Sequence, residues 1–158
     1  MVKMVKIKKT NELTDLDELL DRVVEGEAKE VNEYKERKGE EIAKHVIDTI
    51  MWMLGRRKIE GLVKAEELVE VTVERKVYEA KWFEEDTAVV YILTVKPKKG
   101  RNLHSKVVDM IVGYIKEKEE EDERYLVDNN VIFRIKTETV IMEQYYYYKQ
   151  LKIYIFCF

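Results

Sequence analysis

Residues Thr87 to Val95 read TAVVYILTV and are apolar on both alternations of a strand. A strand of that kind is buried on both faces, in the middle of a sheet. The rest of the chain therefore has to supply flanking strands and elements that cover them.

The remaining sequence offers both. Thr14 and Asp17 resemble a capping box, and Leu13, Leu16, Leu19, Leu20, Val23 and Val24 follow at helical spacing, predicting a helix near 14–25. Residues 25–39 are polar apart from Ala28, Val31 and Tyr34 and read as a solvated stretch. Ile42, Val46, Ile50 and Leu54 recur every fourth residue and stop at Gly55, the pattern of a core helix. Val69, Val71 and Val73 alternate with Glu70, Thr72 and Glu74, so a strand begins there. Its apolar phase then passes to Tyr78, Ala80 and Trp82, which predicts a bulge or break near 75–77. Glu84, Glu85 and Asp86 form the expected hairpin turn.

Pro97 closes the central strand, and Leu103, Val107, Ile111 and Ile115 predict a second helix that runs into the charged stretch 116–124. Asp128, Asn129 and Asn130 read as a turn. Val131, Phe133 and Ile135, and later Leu151, Ile153 and Ile155, mark two further strands. Their connection falls within 136–146, with a helix over 142–149 as the alternative. The order is helix, helix, strand, strand, helix, strand, strand. This is an α+β fold, with a mainly antiparallel sheet of four to five strands covered by two or three helices. One domain spans 1–158, and residues 1–9 are either a basic tail or an edge strand.

Composition narrows the function. The 158 residues are 46% hydrophobic and 39% charged with six glycines and one proline, which excludes disordered and collagen-like chains. No apolar run approaches the ~18 residues of a membrane-spanning helix, so no membrane partner is expected. Cys157 is the single cysteine, which excludes an intrachain disulfide and a thiolate metal site and favours a reducing, cytoplasmic setting. No cleaved leader is expected at the N-terminus. Lysine and glutamate dominate the charges and glutamine occurs twice, the bias of proteins from hot environments. There is no glycine-rich phosphate loop, no nucleophile elbow, no H-E-x-x-H and no C-x-x-C. Zinc, haem and nucleotide cofactors are not expected, and an enzyme built from this chain would work with carboxylates and lysine.

Three constellations stand out. On a strand, Glu79 and Lys81 share a face, placing a carboxylate beside an ammonium; Glu85 and Asp86 follow at the hairpin tip. Glu79, Glu85 and Asp86 would hold Mg²⁺ or Mn²⁺, with Lys81 activating water and offsetting charge on a phosphodiester. The bland reading of the same residues is a cross-strand ion pair and a solvated turn. The second constellation is basic: Arg56, Arg57 and Lys58 after the core helix, then Lys96, Lys98, Lys99, Arg101, His104 and Lys106 around the start of the next helix, whose free N–H groups favour phosphate. The net charge of −3 makes any nucleic-acid contact local. The third is the run Tyr145 to Tyr148 with Tyr154, Phe156 and Phe158, a stacking platform for bases or a dimer surface.

Glu79-Ala80-Lys81 looks like the second half of the PD-(D/E)-x-K nuclease signature; no Pro-Asp precedes it, and its upstream acid would be Glu66, Glu67 or Glu70. In size, composition and element order the chain resembles small orphan α+β proteins of hyperthermophilic archaea and their filamentous viruses, among which is a nuclease dependent on an acidic residue. That resemblance implies an essential Glu79, Glu85 or Asp86 and, for a viral protein, the host cytoplasm. Two readings follow. One is a metal-dependent nuclease on duplex DNA, clamped by the two basic segments. The other is a non-enzymatic protein that binds nucleic acid or protein and forms a homodimer through its tyrosine-rich C-terminal strand.

Overall fold

The computed structural model describes residues 23–24, 38–80, 87–143 and 146–158. In chain order the elements are β1 (Val23–Val24), α1 (Lys38–Arg56), β2 (Lys58–Ile59), β3 (Val63–Lys64), a 3₁₀ turn (Ala65–Glu67), β4 (Val69–Ala80), β5 (Thr87–Pro97), α2 (Ser105–Glu121), α3 (Glu123–Asp128), β6 (Val131–Glu143) and β7 (Tyr146–Cys157). The fold is α+β, as the sequence predicts. Among the described residues five antiparallel strands lie in the order β1-β4-β5-β7-β6, and β2 and β3 form a separate small hairpin. That hairpin turns through Glu60 and Gly61, both at positive φ.

β5 lies in the middle of the sheet, and its two faces meet different surroundings. Odd-numbered residues face a core shared with the helices: Val89, Tyr91, Leu93 and Val95 join Leu151, Ile153 and Ile155 of β7, Ile42, Val46, Ile50 and Leu54 of α1, and Val107, Ile111 and Ile115 of α2. Even-numbered residues make a second cluster: Val90 and Ile92 with Tyr78, Tyr154 and Phe156, flanked by Ile132 and Phe158. Complete burial of an Ile or Leu side chain contributes about 1.5–3 kcal/mol, so the helix-facing layer carries most of the stabilisation. α1 enters this layer tightly, since a Cβ at Gly39 would stand 3.2 Å from Val131 Cγ2 and 3.3 Å from Cys157 Cβ. Cys157 itself is buried there.

Four expectations need correction. Val23 and Val24, placed at the end of the first helix, pair instead with Ala80 and Glu79 as an edge strand; the rest of that predicted helix, like residues 1–9 and the polar stretch 25–37, lies outside the described residues. No bulge interrupts β4: the ladder with β5 runs without a slip from Val69 opposite Pro97 to Glu79 opposite Thr87. The apolar phase fades because Arg75 sits on the core-facing side. Glu40 from the first turn of α1 reaches it at 3.0 Å, and Tyr91 Oη donates to the same carboxylate oxygen at 3.3 Å. Burial raises the Tyr91 phenol above its ordinary value.

The helix considered over 142–149 is absent from the described residues of that segment, because β6 runs to Glu143 and β7 begins at Tyr146. Tyrosine and β-branched residues fit a pleated surface, and the period of two wins. Finally, the C-terminal strand, which would have to lie at an edge to pair with a second copy, does not lie at one. The chain crosses from β5 through α2 and α3 to β6, then turns back so that β7 fills the gap and pairs on both sides. No helix among the described residues is long and apolar enough to cross a membrane.

Candidate nucleic-acid interface

β5 stops at Pro97, whereas the β6–β7 hairpin continues. Val95 pairs with Leu151, so, among the described residues, residues 146–150 of β7 have only β6 beside them. This outer part is a two-stranded ribbon carrying Val140, Ile141 and Met142 on one strand and Tyr146, Tyr147 and Tyr148 on the other. Its even-numbered side leans over the loop that follows β5. Tyr146 Oη accepts the Gly100 N–H at 3.0 Å. Gly100 adopts φ 80°, which a residue with a side chain rarely does, and Arg101 N–H bonds back to the Lys98 carbonyl at 3.0 Å.

Between ribbon and loop lies a groove of about 590 Å³ lined by Glu70, Lys96, Pro97, Lys99, Gly100, Met142, Tyr146 and Tyr148. That volume falls within the range of ligand-binding clefts. Tyr146, Tyr148 and Met142 supply an aromatic and apolar wall; Lys96 and Lys99 supply charge. Lys96 Nζ is held 3.4 Å from Glu70 Oε2, while Lys98, Lys99 and Arg101 make no ion pair among the described residues.

The two basic segments named from the sequence are connected through the chain 57–68. Ala65 N–H bonds to the Arg57 carbonyl at 2.9 Å and Lys98 N–H to the Leu68 carbonyl at 3.2 Å, so the short chain 57–68 links them. Lys106 Nζ lies 3.4 Å from Glu60 Oε1 in the β2–β3 turn, so its charge is partly engaged. Arg56 sits over the Trp52 ring, 5.7 Å from its centroid, and Arg57 and Lys58 are exposed. The N-terminus of α2 differs from expectation. His104 is its N-cap, and its Nδ1 accepts the Lys106 N–H at 3.1 Å, satisfying a donor that a phosphate would otherwise use.

Of the acidic candidates on the hairpin, Glu79 is not at this end. Glu79 pairs with Thr87 near the far end of β4, ten residues from Val69, roughly 33 Å along the strand. Lys81, Glu85 and Asp86 lie outside the described residues, as does Tyr145. Among the described residues no group of three or more His, Cys, Asp or Glu is arranged to hold a metal ion. Glu66, Glu67 and Glu70, considered as upstream acids, lie at the basic end; Glu67 Oε2 accepts the Lys64 N–H at 3.0 Å, and Glu70 holds Lys96.

Sequence reasoning named the lysines and the tyrosines as separate features and missed that they face each other, along with Met142. Phase within a strand shows that Tyr146 and Tyr148 share a face, but that Lys96 and Met142 lie with them depends on the registers between strands, which no local pattern gives. Compared with models of protein families, with curated proteins and with solved structures, the chain matches none.

Proposed function

We propose that the protein is a non-enzymatic nucleic-acid-binding module that takes single-stranded DNA or RNA into the groove between the 96–101 loop and the β6–β7 ribbon. The carrying observation is the pairing, across one cleft, of Lys96 and Lys99 with Tyr146 and Tyr148. Grooves that bind single strands combine backbone-tracking cations with aromatic rings on which bases stack, and stacking needs bases not already enclosed in a duplex. Lys98 and Arg101 at the rim and Arg57 and Lys58 nearby extend the cationic track. The net charge of −3 opposes binding elsewhere on the surface, which confines contact to this end.

Hydrolysis receives less support, because a carboxylate-bound metal at Glu79 would act roughly 33 Å along β4 from the lysines expected to clamp the substrate. Fluorescence anisotropy with a labelled oligo(dT), the same sequence as duplex, and Mg²⁺ or Mn²⁺ present tests the reading. Single strand is expected to bind more tightly than duplex, to remain intact, and to lose affinity with Lys99→Glu and with Tyr148→Ala. Unchanged binding by both variants overturns it; cleavage abolished by Glu79→Ala would restore the nuclease instead.

A further inference from the structure

One residue in the groove works against phosphate binding. Among the described residues that line it, Glu70 alone is acidic, and a carboxylate beside a path for phosphates repels them. Glu70 and Lys96 stand directly opposite each other in the β4–β5 ladder. Glu70 Oε2 lies 3.4 Å from Lys96 Nζ, with the two side chains 53% and 39% exposed. Glu70 makes no other ion pair or hydrogen bond among the described residues.

The pair offers three hydrogen-bonding groups side by side: the acceptors Oε1 and Oε2, then the ammonium donor next to Oε2. The Watson–Crick edge of guanine is their complement, with the N2–H and N1–H donors followed by the O6 acceptor. One carboxylate takes both donors while the ammonium donates to O6, and the salt bridge stays closed. The other bases match less well. Cytosine and adenine each set one amino donor beside a ring-nitrogen acceptor, which uses one carboxylate oxygen and the ammonium. Thymine and uracil bring a carbonyl oxygen against the second carboxylate oxygen. In a single strand this edge is free to be read.

The stacking wall is close by. Lys96 follows Val95, which pairs with Leu151, and Tyr148 lies three residues beyond Leu151 on β7. Tyr148 is therefore two residues, about 7 Å, further out along the sheet and one strand spacing, about 5 Å, across it.

We propose that Glu70, with Lys96 beside it, selects guanine among the bases of the strand that enters the groove. This rests on the reading of the groove as a single-strand site. The guanine lies on the Tyr148 ring with its Watson–Crick edge toward Glu70 and Lys96, while Lys99 holds phosphate whatever the base.

Fluorescence anisotropy with labelled dT strands, identical except for one central dG, dC, dA or deoxyinosine, tests the selection. The dG strand is expected to bind about fivefold or more tighter than all-dT, the low end of what a bidentate base contact discriminates. Deoxyinosine, which lacks the N2–H donors, falls between them. Glu70→Gln replaces one acceptor by a donor and removes a negative charge from the groove. It is expected to bind all-dT more tightly than wild type and to lose the dG preference, whereas a purely structural Glu70 would move both strands together. Free guanosine monophosphate is expected to compete poorly, because it lacks the flanking phosphates. Equal affinity for the dG and all-dT strands, or a dG preference that survives Glu70→Gln, overturns the proposal and leaves Tyr148-dependent strand binding standing. Competition by the mononucleotide as strong as by the dG strand also overturns it, and binding of no strand at all overturns both readings.

Discussion

The β6–β7 hairpin is one continuous ladder with two different fates. In its inner half, Leu151, Ile153, Ile155 and Cys157 are buried against the helices while Tyr154 and Phe156 are buried on the opposite face. In its outer half, Ile141, Met142 and Tyr147 are exposed by 71%, 59% and 64%. Residue types differ little between the halves, and pairing is unbroken from Val131 to Ile141. The difference is a third strand, because β5 lies beside the inner half and ends at Pro97. Similar aromatic and branched side chains thus become core where a neighbouring strand accompanies them and exposed surface where it stops.

That contrast can be broken by substitution. The largest effect is expected from Ile155→Ala in the inner half, a loss of ~2–5 kcal/mol in urea unfolding, against ~0.5 kcal/mol or less for Ile141→Ala in the outer half. Equal losses would mean that the ribbon is structural. Tyr148→Ala should cost ~1–3 kcal/mol in affinity for an oligonucleotide while leaving the unfolding midpoint nearly in place; a loss of stability without a loss of binding would reverse its assignment. Tyr146→Phe removes the acceptor of the Gly100 N–H and should lower stability by about 0.5–1.5 kcal/mol, read by thermal unfolding.

The smallest effect at neutral pH belongs to Tyr154→Phe. The Tyr154 ring is fully buried, and its hydroxyl has no hydrogen-bond partner among the described residues. Removing that hydroxyl should therefore change stability by less than ~0.5 kcal/mol. Burial, assisted by Glu138 and Glu74, raises this phenol far above its ordinary value. The folded state thus favours the neutral form, and its contribution is intact below the ordinary value of about 10 and lost as pH rises past it, where the unfolded tyrosine ionises. Unfolding of Tyr154→Phe followed from pH 9 to 11 should fall less steeply than wild type; parallel slopes would remove Tyr154 from the account.

Much of the fold was legible because periodicity carries it. The fourfold spacing from Ile42 to Leu54 gave the body of α1, though not its start at Lys38, and the doubly apolar run from Thr87 gave β5 nearly to its end at Pro97. What failed was long-range. Arg75 looked like a break in a strand because its partner, Glu40, is 35 residues away, and no local pattern announces that a core-facing guanidinium will be met by a carboxylate from a helix. The position of β7 was hidden for a related reason. A final strand is easily taken for an edge, and only the length of the helical crossover shows that room was left for it between β5 and β6. The site was half legible. Lysines and tyrosines advertise themselves singly, but their meeting depends on where β5 ends relative to the ribbon. The acidic motif is drawn from residue types abundant in this chain, and strand direction carries Glu79 away from the basic loops.

The tight seat of Cys157 beneath Gly39 has a practical consequence. Its thiol is the only one in the chain and is 1% exposed, in the strand held on both sides. An alkylating reagent can reach it only when that strand opens, so in excess reagent the labelling rate becomes a clock for excursions out of the native state. The protein thus carries its own reporter of how often the centre of its sheet comes apart, with no engineered probe required.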